Sequence, residues 1–325
     1  MHLYIHKSMY PGQYESRLQQ SLEAGIVPPG ELYRTPWQSA LWLKLHETWS
    51  PARADERIQE IYSGVFSDVA NHLGGKPFHW TSLGCGSGHK ELQFLQCTNL
   101  NPVSSRMVDI SSDLVITSCL RLRGHLSAVG EVADLSVSLD VPAVGHSPTS
   151  GGSIPHLYFF LGMFPNMDPE TAWSRLADLM GPDDLVLASF NMASNDEYQS
   201  GLANVMPQYD NIETRNWISA FCNAFGYFES SENIQFNICD YISGGRVLKY
   251  INAGLTTGQP WLIGLPGSPG VRIDSGRDLS LFRSFRYTRE DIFDLAAQYH
   301  MDVIDNSVDD TEQEGVFLFR KFKGD

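Results

Sequence analysis

Three glycines in five positions, Gly84, Gly86 and Gly88, stand between an apolar run over 77–83 and a helix-like pattern at Glu91, Leu92, Phe94 and Leu95. A strand, a glycine turn and a helix start in that order can cradle a ligand. Glycine takes up the backbone angles of a tight turn and lets a ligand approach the main chain, and the helix N-terminus behind it offers free N–H groups. The spacing is Gly-x-Gly-x-Gly, not the Gly-x-Gly-x-x-Gly of dinucleotide folds. It suits a ligand without a pyrophosphate, of which S-adenosylmethionine (SAM) is one. The same glycines would serve a plain β-turn-α connection. What weighs against that plainer reading is Asp109, about 20 residues on, at the end of a second apolar run over 105–110, where a ribose-binding carboxylate belongs in a doubly wound sheet.

These residues need a frame to hold them. Residues 13–24 are helix-forming, with Leu18 and Leu22 on one face; Pro28, Pro29 and Gly30 interrupt, and 36–49 places Trp37, Leu41, Leu45 and Trp49 four apart. A third helix over 54–73 ends in a glycine cap at Gly74 and Gly75. From 77 onward strands and helices alternate. A helix over 112–125 leads to a polar segment with Glu131 and Asp134. An acid at the third strand's end either holds an adenine amino group or is a solvated loop residue. Residues 143–155, rich in Gly, Ser and Pro, read as a surface loop.

The most apolar run, 156–163, has no alternation, as expected of a central parallel strand buried on both faces. Asp168 and Pro169 start the helix after it. Ligands of open α/β sheets lie beyond the strands' carboxyl ends, so Asn166 is placed to meet a substrate, or else caps its loop. A strand over 184–190 follows, then a polar, irregular stretch over 191–211 and an amphipathic helix over 212–225. Residues 234–242 and 246–253 suit a hairpin turning at Gly244 and Gly245. The six glycines and three prolines of 254–280 read as a long lid or binding loop. A helix over 289–299 capped by Thr288, and antiparallel strands over 301–304 and 315–322, close the chain.

Composition narrows the class of protein. Of 325 residues, 42% are hydrophobic and 19% charged, enough to bury a sizeable core. A formal charge of −15 argues against nucleic acid or an anionic membrane as partner, since phosphate binding draws on clustered Lys and Arg. The five cysteines are scattered and none has metal-ligand spacing, which favours a reduced, cytoplasmic setting and no structural metal. Cys85, inside the glycine loop, reads as a small turn residue or a reactive thiol. Residues 1–10 lack the apolar core of a signal peptide, and no run reaches a membrane-spanning length. Oligomeric state is left open.

Several stretches, taken in order over residues 14–322, resemble the SAM-dependent histidine-specific methyltransferases of ergothioneine biosynthesis. Glu31-Leu-Tyr-Arg-Thr-Pro-Trp37 is similar to a Tyr-x-Pro-Thr-Arg segment that precedes that family's SAM domain. Leu83-Gly-Cys-Gly-Ser-Gly-His-Lys90 is similar to its Leu-Gly-Ser-Gly-x-x-x-Lys loop, and Val108-Asp-Ile-Ser111 to its ribose strand. Phe160-Leu-Gly-Met-Phe-Pro-Asn166 resembles Phe-Leu-Gly-Ser-x-x-Gly-Asn, Gln208-Tyr-Asp210 resembles a segment with a substrate-contacting Tyr, and Arg283-Ser-Phe-Arg-Tyr287 resembles Glu-x-Ser-x-Lys-Tyr.

The resemblance implies an α/β fold with a Rossmann-like class I SAM-dependent methyltransferase sheet. In it, 1–75 is a helical N-terminal section, 76–190 the SAM-binding core, 191–285 an inserted substrate or lid region, and 286–325 a helix and hairpin completing the sheet. It further implies that Gly84, Gly86, Gly88, Lys90, Asp109, Asp134, Tyr33 and Thr35 hold SAM. Asn166, Tyr209 and Ser284 would hold a small amino-acid-like substrate. Tyr33 could equally be a packed aromatic.

Three departures fall where substrate identity is decided. Phe282 replaces an acid that would engage a histidine side chain, Met163 replaces Ser, and Pro165 replaces the Gly before Asn166. An apolar ring cannot accept an imidazole N–H, so the expected activity is N-methylation of an amino acid or amino-acid-derived metabolite other than histidine. Two rivals stand beside it. One is use of SAM's 3-amino-3-carboxypropyl arm, by cyclisation or transfer, with release of methylthioadenosine. The other is a non-catalytic SAM-binding subunit.

Overall fold

The computed structural model describes residues 2–50, 55–137, 154–193, 198–267 and 269–322; the loop expected over 143–155 lies outside them except for its last two residues. The frame is a sheet of eight strands: β1 (His2–Ile5), β2 (His79–Leu83), β3 (Ser104–Asp109), β4 (Ala128–Val132), β5 (His156–Phe160), β6 (Leu185–Asn191), and the closing pair β12 (Met301–Val308) and β13 (Glu314–Lys321). Their order is β1-β4-β3-β2-β5-β6-β13-β12. The first six run parallel; β13 is antiparallel to β6 and to β12. This is the Rossmann-like doubly wound sheet that the alternation predicts, with the order reversing between β2 and β5.

Strand periodicity divides the core between the two faces of the sheet. On β6, Val186, Ala188 and Phe190 enter the cluster on one face, with Trp173 of α6 (Pro169–Leu179) and Ile292 of α9 (Arg289–Gln298). Leu185 and Leu187 enter the other, with Phe66 of α3 (Glu56–Leu73), Phe94 of α4 (His89–Thr98) and Val115 of α5 (Ser112–Leu122). All five residues of β2 and of β5 are buried, β5 as its apolar run requires and β2 although His79, Thr81 and Ser82 are polar. The caps are where the sequence places them. The Asp168 side chain accepts from Thr171 N, Gly74 ends α3 in the left-handed conformation, and Thr288 forms a capping box with Asp291.

A second unit packs against the sheet's carboxyl edge. It is a three-stranded antiparallel sheet of β7 (Gln235–Ser243), β8 (Arg246–Thr256) and β11 (Asp278–Arg286), in the order β11-β8-β7. The β7–β8 turn is Gly244-Gly245, with φ of 57° and 81°, as a two-residue hairpin demands. A third cluster joins this sheet to α1 (Gln13–Glu23) through Leu18 and Leu22, to Leu32, and to Trp217 and Phe221 of α8 (Ile212–Ala224). The N-terminal section therefore splits: α1 and residues 26–33 lie on the small sheet, tied by Val27 N to Ser280 O at 2.9 Å, while α3 lies on the large one.

Four local expectations are corrected. The polar segment after α5 is a strand, β4, because buried Glu131 is neutralised by Arg106 at 3.0 Å; an ion pair inside the sheet hides its pattern. Residues 191–211 are not irregular throughout: α7 (Tyr198–Tyr209) forms despite Gly, Asn and Pro because Leu202 and Val205 are buried and the Tyr198 hydroxyl donates to Arg286 O at 2.6 Å. The 254–280 loop contains β9 (Trp261–Ile263) and β10 (Val271–Ile273), paired antiparallel, with Trp261, Ile263, Val271 and Ile273 buried on one face. Val271-Arg272-Ile273 alternates beneath the Gly and Pro content, whereas Trp261-Leu262-Ile263 is apolar throughout. β1 is a strand at the sheet edge within the section expected to be helical, its Leu3, Tyr4 and Ile5 all exposed.

Candidate active site

One cleft opens between the two units, above the point where the strand order reverses. Its sheet wall begins where β2 ends. Gly84 N and Cys85 N both donate to Val108 O, at 2.8 and 3.0 Å, folding the glycine loop onto β3. Asp109 completes the tie: Oδ2 accepts from Gly86 N and Oδ1 from Ser111 N, each at 3.0 Å. Burial drives its pKa up to about 6, outweighing the backbone donors that favour the carboxylate.

The glycines also have packing duties. A Cβ at Gly84 would meet Met163 Sδ at 2.7 Å, at Gly86 the Trp42 ring at 3.0 Å, and at Gly88 Ser118 Cα at 2.9 Å, all with positive φ. Gly84 and Gly86 line the cleft. Gly88 does not, and serves the packing of α4 on α5.

The other residues expected at a cofactor are placed as follows. Lys90 lines the cleft, with Nζ donating to the Tyr62 hydroxyl at 2.5 Å and lying 3.8 Å from Glu314. Asp134 lines it beyond β4, held by Arg17 at 3.2 Å and by the Ser136 hydroxyl at 2.6 Å. Tyr33 lines it, its ring 5.7 Å from Trp42 and 5.3 Å from Trp217; burial, and then the charge of Asp109, holds its hydroxyl protonated. Thr35 lies off the cleft, capping α2 (Pro36–Trp49) in a box with Gln38. Gly30 and Ser39 join the walls: a Cβ on Gly30 would strike Ile110, and Ser39 Oγ lies 2.8 Å from Ser111 Oγ.

Asn166, Tyr209 and Ser284 come from three separate elements and all face the cleft. Asn166 ends a short 3-10 turn after β5, its own N–H donating to Met163 O at 3.0 Å. Tyr209 Oη and Ser284 Oγ are 3.0 Å apart, and Asn191 Nδ2 donates to both, at 3.2 and 2.8 Å. Arg286 Nη2 donates to Tyr209 Oη at 3.1 Å. Phe282 stands between Trp217, at 5.4 Å, and Tyr209, at 6.3 Å, so this part of the cleft is aromatic.

Four contributors were not foreseen from the sequence: Asn191, Arg286, Trp42 and Trp217. Two left a signal. Asn191 ends a buried strand at its carboxyl end, and Arg286 follows Phe282 and Ser284 at the two-residue spacing that puts all three on one strand face. Trp42 and Trp217 look like core positions of amphipathic helices, and only the packing of α2 against α8 turns them to the cleft.

No protein-family model and no curated protein matches the sequence. Solved structures with a related arrangement include an S-adenosylmethionine-dependent methyltransferase from Clostridium acetobutylicum, 10% identical, with a TM-score of 0.43 over 86% of this chain and 98% of that one. A magnesium protoporphyrin IX methyltransferase from Synechocystis with bound S-adenosylhomocysteine is 12% identical, at 0.43 over 88% and 95%. A Burkholderia thailandensis 1,6-didemethyltoxoflavin-N1-methyltransferase is 12% identical, at 0.40 over 89% and 91%. Superpositions this loose carry no argument about chemistry, and the fold stands on its own strand order. Among the described residues no helix is long and apolar enough to cross a membrane.

Proposed function

We propose that the protein is a SAM-dependent N-methyltransferase whose acceptor is a small amino acid or amino-acid-derived metabolite other than histidine. The observation that carries this reading is the pairing, across one cleft, of the Asp109–glycine loop at the strand-order reversal with the hydrogen-bonded Asn191–Tyr209–Ser284 set. The residues fit the cofactor: a buried carboxylate stands at a β-strand's end beside a glycine turn, with an aromatic wall opposite. When bound, SAM supplies a methyl group on a sulfonium, an electrophile that needs no acid catalyst.

In this reading Asp109 accepts from the ribose, Gly84 and Gly86 shape the floor, and Lys90 lies toward the methionine end. Asp134 borders the adenine, and Tyr33, packed against Trp42 and Trp217 and followed by the Thr35 cap of α2, closes the other side. Asn166 and Tyr209 hold the acceptor's amino and carboxylate groups, and Ser284 makes a second contact. What the protein supplies is alignment of the amine with the methyl group, at near-attack distance. The acceptor's ammonium must lose its proton to solvent or a nearby acceptor before transfer. Phe282, packed between Trp217 and Tyr209, excludes histidine because it offers the imidazole no hydrogen-bond acceptor. Residues 76–190 hold the cofactor, 1–75 and 191–285 close over the acceptor, and 286–325 complete the sheet.

Mass spectrometry of SAM products, with and without a panel of free amino acids, tests this. S-adenosylhomocysteine formed only when an acceptor is present is the expected result. Methylthioadenosine formed from SAM alone would assign the carboxypropyl chemistry instead, and SAM binding with no turnover of any kind would leave a binding subunit.

A further inference from the structure

Arg286 is 3% exposed, yet among the described residues no carboxylate pairs with it. Its Nη1 donates to Met192 O at 3.0 Å and Gln313 O at 3.2 Å, its Nη2 donates to Tyr209 Oη, and its Nε has no partner. A guanidinium stays charged at any working pH, and burying it against neutral oxygens alone is costly unless an anion completes the site. Arg286 lines the cleft.

The hydrogen bonds around it leave a surplus of donors. Tyr209 Oη accepts from Arg286 and from Asn191, and Ser284 Oγ accepts from Asn191. That leaves two hydroxyl protons and only one contact between the hydroxyls, the 3.0 Å Tyr209–Ser284 pair. One proton satisfies that contact; the other has no acceptor within the set and is free for a ligand in the cleft. A positive charge backing an O–H donor is complementary to an oxyanion.

We infer that Arg286 makes this end of the cleft a carboxylate seat, so that the acceptor must enter as a carboxylate, with one oxygen accepting the hydroxyl proton that the Tyr209–Ser284 pair leaves free. The inference rests on the proposed reading of the cleft as an acceptor site and adds Arg286 as the residue that selects for charge.

The test is calorimetry on the protein saturated with S-adenosylhomocysteine, titrated with L-α-amino acids and with the α-carboxamides bearing the same side chains. At least one amino acid should bind, and its carboxamide should bind about tenfold or more weakly. Arg286→Met should abolish the difference and Arg286→Lys should keep part of it, both with SAM affinity near that of the parent. Equal binding of acid and amide, binding of no amino acid in the panel, or a difference that survives Arg286→Met would overturn the seat. Should Arg286→Met not fold, the parent acid-amide comparison and Arg286→Lys decide. Failure of SAM itself to bind is a separate result, and it sinks the cofactor reading instead.

Discussion

The sheet wall of the cleft is assembled from loops that follow four strands of one parallel sheet, β2, β3, β4 and β5, while the opposite wall draws single side chains from α2, α7, α8, β11 and residues 29–33. On the first, main-chain groups do most of the work: Gly84 N, Cys85 N, Gly86 N and Ser111 N are fixed by Val108 O and by one carboxylate. On the second, side chains hold one another: Asn191, from the end of β6, and Arg286 both donate to Tyr209, which lies beside Ser284, and Arg286 is tied besides to Met192 O and Gln313 O. A wall made of backbone follows from strand order and tolerates little change in ligand. A wall made of side chains can be altered one residue at a time. The two should therefore fail separately.

The largest effect is expected from Asp109→Ala. In the proposed reading it deletes the acceptor for the ribose hydroxyls, each such charged hydrogen bond being worth about 1.5–3 kcal/mol, so SAM affinity should fall on the order of a hundredfold or more by calorimetry. Undiminished affinity would remove the sheet wall from the cofactor's contacts.

Gly88→Ala separates packing from binding within that wall. With φ at +71° and Ser118 Cα 2.9 Å from the added carbon, it should cost about 3 kcal/mol in urea unfolding. Gly74→Ala, also at positive φ but with its nearest neighbour 3.8 Å away, should cost about 1 kcal/mol.

Tyr209→Phe probes the other wall. It leaves Arg286 and Asn191 each short of an acceptor, and should raise the KM for the acceptor roughly tenfold while SAM affinity stays within about twofold. Equal losses for both ligands in steady-state kinetics would mean that the walls are one unit.

The smallest effect is a pH dependence. Burial pushes Asp109 up to about 6 from its ordinary 3.8, so the ionised form, which in the proposed reading accepts from a ribose, is lost as pH falls through about 6. SAM should bind about tenfold more weakly at pH 5 than at pH 7, and Asp109→Asn should flatten the profile. Linkage gives the ligand-free fold the opposite sign. A raised carboxyl pKa contributes stability that is fully present below pH 3.8 and lost as pH rises through about 6.

Much of the sheet wall was readable in advance. Glycine spacing, the acid at the end of β3 and the unbroken apolar β5 are local patterns, each set by what a turn, a strand end or a doubly buried strand requires. The elements that went unread share a cause: β4 conceals an internal ion pair, α7 has a helix-poor composition offset by burial of Leu202 and Val205, and β9 and β10 are three-residue strands set in a stretch rich in Gly and Pro. In each case tertiary contacts outweighed local preference. Tyr209 and Ser284 were legible only as members of a resembling motif, and nothing in their neighbourhoods said that they touch.

What the amino-acid sequence determined by itself was the alternation of strands and helices, the glycine turn and the carboxylate beside it, because those depend on backbone geometry within a few residues. What only the tertiary structure decided was the meeting of Asn191 with Tyr209, 18 residues on, and with Ser284, 93 residues on, and the burial of Arg286 among them with no carboxylate partner in the described residues. Those contacts form when the small sheet docks on the large one, and hydrogen bonds between distant side chains leave no period or spacing along the chain.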